Sequence, residues 1–315
     1  MKTKQIHGKR SFTQSFRREK NPGQRGFSLM ALFIGIFLAA YTITLLFGLL
    51  WAVLNTFKYQ DDFLYNVLGF PDKEFGWTFK NYETAFKQFY MTVGSDNTKI
   101  YIETMFLNSF LYAVGCAFFA TLTPCIISYL CVKYRFRFGK VIYSIVIVTM
   151  IIPIVGSLPS ELTLVKALHF VDSFPGMWFM KCNFLGLYYL VFYAAWKSVP
   201  NDFMEAGRVD GLSEFGILCR IMFPLILTTF GIVFTLNFIT FWNDYQTPLL
   251  YMPKHPTISY GLYDLYNGRG AQRSSVATDV MKLTLANVVM APIMVLFLAF
   301  KNKLIGNLTV GGIKG

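Results

Sequence analysis

The side chains able to do chemistry in this sequence are few, and they do not assemble into a reaction centre. Cys116, Cys125, Cys131, Cys182 and Cys219 are odd in number and contain no C-x-x-C pair, so neither a disulfide framework nor a metal framework follows. His7, His169 and His255 are scattered, with no H-E-x-x-H and no partner at ligand spacing. A phosphate-cradling loop needs G-x-x-x-x-G-K-[ST]; at the best fragment, Gly139-Lys140, Tyr134 stands in place of the first glycine and Val141 follows the lysine. No Ser/His/Asp arrangement or carboxylate pair points to an enzyme. The expectation is a chain with no catalytic residues, no metal and no bound cofactor.

What remains is a set of polar residues within long apolar runs, where charge is costly and therefore points to a solute pathway. Lys181 and Asp244 are the charged members, joined by Asn237, Trp242 and Asn243. Sugars present hydroxyls at the ring edge and apolar C–H faces, and amides, a carboxylate and an indole offer both kinds of contact. Each residue also has a plainer reading. Lys181 can snorkel to the interface, Trp242 can belong to an interfacial aromatic belt, and Asp244 can be an ordinary helix-end residue.

A second polar segment, Ser198 to Leu225 (SVPNDFMEAGRVDGLSEFGILCRIMFPL), is too polar for a membrane and too patterned for a tether. Asn201 or Asp202 can cap a short helix after Pro200, with Glu205 in its early turns, where the helix dipole favours an anion. Asp210-Gly211 then breaks it, and Ser213 caps a second helix with Glu214 just inside. Two helices joined by a tight glycine turn would expose Phe203, Met204, Leu212 and Phe215, either to a partner groove or to lipid headgroups.

The elements that must position these residues are membrane helices. The chain is 54% hydrophobic and only 15% charged, with the charges bunched between uncharged runs, which is a lipid-embedded composition. Its net charge of +12 lies mostly in short loops rather than on one folded face, so it speaks for membrane orientation and against nucleic acid. A span needs about 20 apolar residues, and six segments are expected to cross: about 28–55, 104–132, 141–160, 176–197, 221–243 and 281–300. The runs lack a barrel strand's alternation, so all six are helices. Pro124, Pro153 and Pro292 lie within them, as kinks or as packing features.

Orientation follows from the basic residues. The arm 1–26 carries eight of them (Lys2, Lys4, Lys9, Arg10, Arg17, Arg18, Lys20, Arg25), and Lys133, Arg135, Arg137 and Lys140 cluster in the second loop, placing both in the cytoplasm. The segment 58–103, with five basic and seven acidic residues, is expected outside. The loop 198–220 and the tail 301–315 then lie inside, giving one transmembrane domain over 27–300 with both termini cytoplasmic. The first span reads as an uncleaved anchor. Glu161 to Asp172 reads as a short interfacial helix, and Pro248 to Asp279 as an ordered outer loop.

The loop also resembles a known family. Glu205-Ala206-Gly207, then Gly211, then Ile221 and Pro224 follow the spacing of the EAA loop, E-A-A-x3-G-x9-I-x-L-P, of ABC importer permeases, with Gly207 for the second alanine and Phe223 for leucine. Phe241-Trp242-Asn243-Asp244 followed by Pro248-Leu249 is similar to the W-N-[DE]-x4-P-L segment of carbohydrate-type permeases, with three residues instead of four before the proline. Asn108-Ser109, the Tyr134-Arg135-Phe136-Arg137 turn and the tail Leu308 to Gly315 resemble the maltose-transporter type.

The resemblance implies a type I importer permease in the bacterial cytoplasmic membrane. Glu205 to Gly211 would couple it to a separate ABC ATPase dimer that uses the ATP, with Arg208 and Asp210 orienting the turn. It also implies a second permease subunit in a heterodimer and an extracellular or periplasmic solute-binding protein. The solute would be a sugar or oligosaccharide; the alternatives are a non-sugar solute such as glycerol phosphate, or a membrane protein of another class whose EAA-like loop is fortuitous.

Overall fold

A computed structural model describes residues 29–134, 138–152, 156–267 and 278–310, with side chains described as far as residue 301. The arm 1–26, the Arg135–Arg137 turn, Pro153 and the end of the tail from Gly311 lie outside these residues. Four helices are long and apolar enough to cross a membrane: Leu29–Asn55 (α1), Ile102–Lys133 (α4), Glu214–Trp242 and Asp279–Lys301. Two compact units are distinguished, residues 1–50 and 51–315. In the first, residues 29–50 are exposed along their whole length and apolar on every side, as a lipid-facing helix must be.

The second unit is built around α4. Its packed face carries Asn108, Ser109, Ala113, Cys116, Ala117, Thr121, Cys125 and Ser128, small side chains that let neighbouring backbones approach. Against it lie Phe174–Met180 (α7), Leu187–Ser198 (α8), Phe223–Trp242 (α11) and Ile258–Asn267 (α13). Asp279–Val310 (α14) packs on α11 and α13, so the last helix runs well into the segment expected as a tail. Both α4 and α14 continue through their prolines, Pro124 and Pro292.

Two expected spans are corrected. The helix Gly139–Ile151 (α5) ends nine residues before the expected boundary at 160, because Ile152 precedes Pro153 and takes extended backbone. A new helix, Leu158–Ala167 (α6), follows; the interfacial helix thus starts and stops earlier than Glu161 to Asp172, ending before His169 and Asp172, both at φ 56°. Segment 176–197 is not one helix either. It comprises α7 and α8 separated by residues 181–186, where Asn183 Oδ1 accepts from Leu185 N (2.9 Å) and so offers the backbone an alternative to helix.

Segment 58–103, expected only to be external, is folded. Gln60–Tyr65 (α2) and Lys80–Gln88 (α3) precede an antiparallel hairpin of Tyr90–Val93 (β1) and Thr98–Tyr101 (β2), in register from Tyr90 opposite Tyr101 to Val93 opposite Thr98. Lys58 is buried and donates to the Asn66 carbonyl, while Asn81 Nδ2 holds the carbonyls of Thr56 (2.8 Å) and Lys58 (2.7 Å). Burial pushes the Lys58 pKa down.

The region 248–267 is ordered as expected; the rest of that stretch, 268–277, lies outside the described residues. Gln246–Tyr251 (α12) precedes α13, whose start is held on α4 by Asn108 and Ser109, in the second turn of that helix. Asn108 Nδ2 donates to Pro256 O (3.0 Å), and Ser109 Oγ accepts from Ile258 N (2.8 Å), both buried. Replacing Ser109 by Ala strands a buried N–H, which costs about 1–3 kcal/mol. Ser109→Ala is therefore expected to lower the thermal unfolding temperature of the detergent-solubilised protein and to quicken protease cleavage near residue 256. An unchanged unfolding profile would contradict this packing role.

Candidate coupling loop and solute cavity

The loop between α8 and α11 folds as two short helices, Asp202–Val209 (α9) and Glu214–Ile217 (α10). Ser213 caps α10 as its type and place demand, its Oγ accepting from Gly216 N (3.2 Å). Asn201 occupies the cap position of α9 but does not cap with its side chain. Its Oδ1 instead accepts from Lys133 Nζ (3.1 Å), which also reaches the Val199 carbonyl, so the end of α4 is tied to the start of the loop.

Gly211 makes the turn at φ 76°, a backbone region that non-glycine residues pay to enter. Across it, Arg208 Nε donates to Glu214 Oε1 (2.7 Å) and Nη2 to Oε2 (3.2 Å), and Tyr134 donates its hydroxyl to Glu214 Oε2 (2.6 Å). These two donors hold the Glu214 carboxyl below the usual carboxylate range. Arg208 is thus paired with Glu214 across the turn. Asp210 sits at the C-cap of α9, its backbone N–H bonded to the carbonyls of Ala206 and Arg208.

Gly207, where the EAA pattern has alanine, lets α9 sit close on Ile217 and Ile221. A Cβ there would lie 2.8 Å from Ile221 Cδ1 and 3.0 Å from Ile217 Cγ1. Ile221 lies in a π-helical turn, Leu218–Met222, that leads into α11. Pro224 follows at the head of α11; lacking an N–H and crowding the carbonyl four residues back, it is accommodated by this widened turn. Ile221 and Pro224 therefore shape the joint on which Gly207 rests.

Four residues were expected to be exposed here, and two of them are not. Met204 is 2% exposed and Leu212 packs on the same core, formed with Cys125, Tyr129, Phe192, Trp196, Ile217 and Met222. Phe203 and Phe215 do face outward, joined by Val209 at 88% exposure. The difference is one of helical phase: in the helix 202–209, Met204 and Gly207 share the face turned to Ile217, whereas Phe203 lies off it. Trp196 anchors the core by donating Nε1 to Cys125 O (3.0 Å).

The residues expected along a solute path divide. Lys181 and Asn237 line one cavity of about 320 Å³, with Asn183, Met180, Tyr188 and Phe241. Lys181 Nζ lies 5.5 Å from the centre of the Phe241 ring, and Asn237 Nδ2 donates to Thr121 Oγ1 (3.0 Å). Trp242, by contrast, is 3% exposed in the core and donates Nε1 to Val289 O (2.9 Å), tying α11 to α14. Asp244 accepts from the Tyr112 hydroxyl (2.8 Å) and from Thr247 N (3.0 Å), locking α4 to the start of α12. Asn243 faces a different cavity, of about 250 Å³, beside the stacked rings of Tyr245 and Tyr263.

Sequence reasoning missed Tyr134, Glu214 and Asn183 as members of these sites. A phenol seven residues before the next apolar run carries no spacing signal, and its partner lies 80 positions away.

Residues 113–302 match the family described as the binding-protein-dependent transport system inner membrane component. The arabinooligosaccharides transport system permease protein of Bacillus subtilis is 26% identical over 292 residues, 92% of this chain and 98% of that protein. The diacetylchitobiose uptake system permease protein of Streptomyces coelicolor is 20% identical, covering 87% and 86%. A shorter match, 27% over 146 residues, covers 46% of this chain and 52% of the sn-glycerol-3-phosphate transport system permease protein of Escherichia coli. Among solved structures, a bacterial ABC transporter involved in the import of the acidic polysaccharide alginate has a chain of like fold, with a TM-score of 0.67, 18% identity, and coverage of 88% of this chain and 98% of that one.

The close seat of Gly207 is directly testable. Gly207→Leu is expected to lift α9 off Ile217 and Ile221 and to raise the rate of tryptic cleavage at Arg208 several-fold in the purified protein. Cleavage at the wild-type rate would show that the contact does not hold α9 in place.

Proposed function

The chain belongs to the family of binding-protein-dependent transport system inner membrane components, and on that premise we propose that it is one permease subunit of an ABC importer for a sugar or oligosaccharide. It is a multi-pass protein of the cytoplasmic membrane. Membership of the family sets aside the reading in which the EAA-like pattern is an accident. The arabinooligosaccharide and diacetylchitobiose relatives match over most of the chain and support a saccharide cargo. Glycerol phosphate, suggested by a match over half of each chain, is the second reading.

Six crossings, with both termini cytoplasmic, accommodate the observed helices. A 13-residue helix such as α5 is only about 20 Å long and does not complete the third crossing by itself, and the fourth is built from α7 and α8 in series. The arm 1–26, the loop 198–220 and the tail 301–315 then share the cytoplasmic side, in keeping with their basic residues.

The observation that carries the mechanism is the seating of α9. Its Gly207 face is lodged on the joint leading into α11, while Phe203, Val209 and Phe215 remain uncovered. An ATPase dimer that takes these three residues into a groove pushes on α9. The push reaches α11 through Ile217 and Ile221, and α4 through Lys133 and Tyr134. Those two helices carry Asn237, Thr121 and Pro124 beside the solute cavity, so ATP hydrolysis in the partner can open and close that cavity. Solute arrives from an extracellular or periplasmic binding protein and passes between this subunit and a second, distinct permease. The chain itself is not an enzyme and binds no cofactor.

Gly211→Val tests this, because a β-branched residue at a positive φ is strained by about 1–2 kcal/mol or more. In the reconstituted importer the variant is expected to stay in the membrane and to retain ATP hydrolysis, but to lose at least nine-tenths of solute uptake. Full uptake coupled to hydrolysis would defeat the proposal, as would failure of an ATPase subunit to co-purify with the wild-type chain.

A further inference from the structure

The cavity of about 320 Å³ between α4, α7, α8 and α11 contains one charged group, Lys181. Its ammonium is turned toward α11, 5.5 Å from the centre of the Phe241 ring, and not outward toward lipid. Among the described residues, the ion pairs are Lys87–Glu83, Arg208–Glu214, His255–Asp172 and Lys282–Asp279, and Lys181 takes part in none. Asp244, the carboxylate that the sequence pairs with Lys181 as a pathway residue, has both oxygens engaged by Tyr112 and Thr247.

The groups around the lysine are neutral, and Asn237 spends an N–H on Thr121 Oγ1 (3.0 Å). Asn183 turns its Oδ1 back to Leu185 N, leaving its NH2 for the cavity. Tyr188 and Tyr189 contribute phenols, and the rest of the wall is apolar: Ala120, Pro124, Met180, Leu185 and Phe241. A cation at the wall of an open cavity, with no ion-pair partner among the described residues, favours an arriving anion. A neutral saccharide could use the amides and the aromatic rings but would leave the ammonium uncompensated.

We propose that the solute passing this cavity is a polyhydroxylated molecule with an anionic group, a carboxylate or a phosphate ester, which Lys181 meets while Asn183 and Asn237 contact hydroxyls. This rests on the reading of the cavity as part of the solute path. It narrows the cargo from saccharides in general to acidic ones such as uronate oligosaccharides, or to polyol phosphates. Lysine suits the task because its compact charge on a flexible stem can follow a moving anion without the fixed bidentate geometry of arginine.

The test uses the complete importer, with its permease partner, ATPase and binding protein, in proteoliposomes. Uptake is measured for three labelled probes: a uronate trisaccharide, its neutral trisaccharide counterpart, and glycerol 3-phosphate. Wild type is expected to carry one of the two anionic probes, and which of them identifies the source of the negative charge. Lys181→Gln is expected to reduce that uptake at least tenfold, and Lys181→Arg to restore a substantial part of it, with protein level and ATP hydrolysis maintained. Preferential uptake of the neutral trisaccharide, or uptake of an anionic probe unaffected by Lys181→Gln, overturns the inference. A wall variant, Ala120→Trp, separates this failure from that of the underlying reading. If Ala120→Trp blocks transport while Lys181→Gln does not, the cavity is the path and the charge assignment is wrong; if neither affects uptake, the cavity is not the path.

Discussion

A polar group at the depth of the bilayer has no water to turn to, so the protein must supply its partner, and this requirement organises the described fold. Trp196 donates to a carbonyl of α4, Trp242 to one of α14, and Asn108 to the chain at Pro256. Ser109 takes the Ile258 N–H, and Thr121 takes the amide of Asn237. Each bond joins segments distant in sequence, so satisfying the polar groups and assembling the helices are one process. Apolar contact alone would not choose among the many ways of packing such helices, since lipid tails are as apolar as leucine.

One consequence is the central place of α4. Its beginning holds the Pro256–Ile258 segment, its middle borders the cavity with Lys181, and its end holds the coupling loop through Lys133 and Tyr134. A displacement applied at the loop therefore has a continuous packed route to the cavity. The parallel route runs through the π-helical turn and α11, which supplies Asn237 and Phe241. Both routes start from the same few contacts around Gly207, Met204 and Glu214.

Much of the coupling loop was legible residue by residue. The glycine turn at 211 and the cap at Ser213 are local events, written in the preferences of those residues and reproduced in the structure. Its exposed face was less legible. Met204 reads as exposed in a short polar loop and is buried, because the phase of a two-turn helix is set by the surface it lands on. The solute path divided for a similar reason. Trp242 and Asp244 have the chemistry of a sugar site, but their hydrogen-bonding groups are consumed by Val289, Tyr112 and Thr247. Lys181 had two open readings, and the position of its ammonium over Phe241 favours the cavity.

The broken spans follow the same division. Uncharged runs near 20 residues, basic clusters and an EAA spacing are properties of the chain in one dimension, so membrane class and family could be read without coordinates. Where a run is interrupted, as at Pro153 or between Lys181 and Gly186, hydropathy averages over the break and reports a single span. Which donors meet which acceptors across 47 to 149 positions is another matter. Those pairings exist only once helices are in contact, and they decide which polar residues are spent on holding the protein together and which, like Lys181, have no ion-pair partner among the described residues.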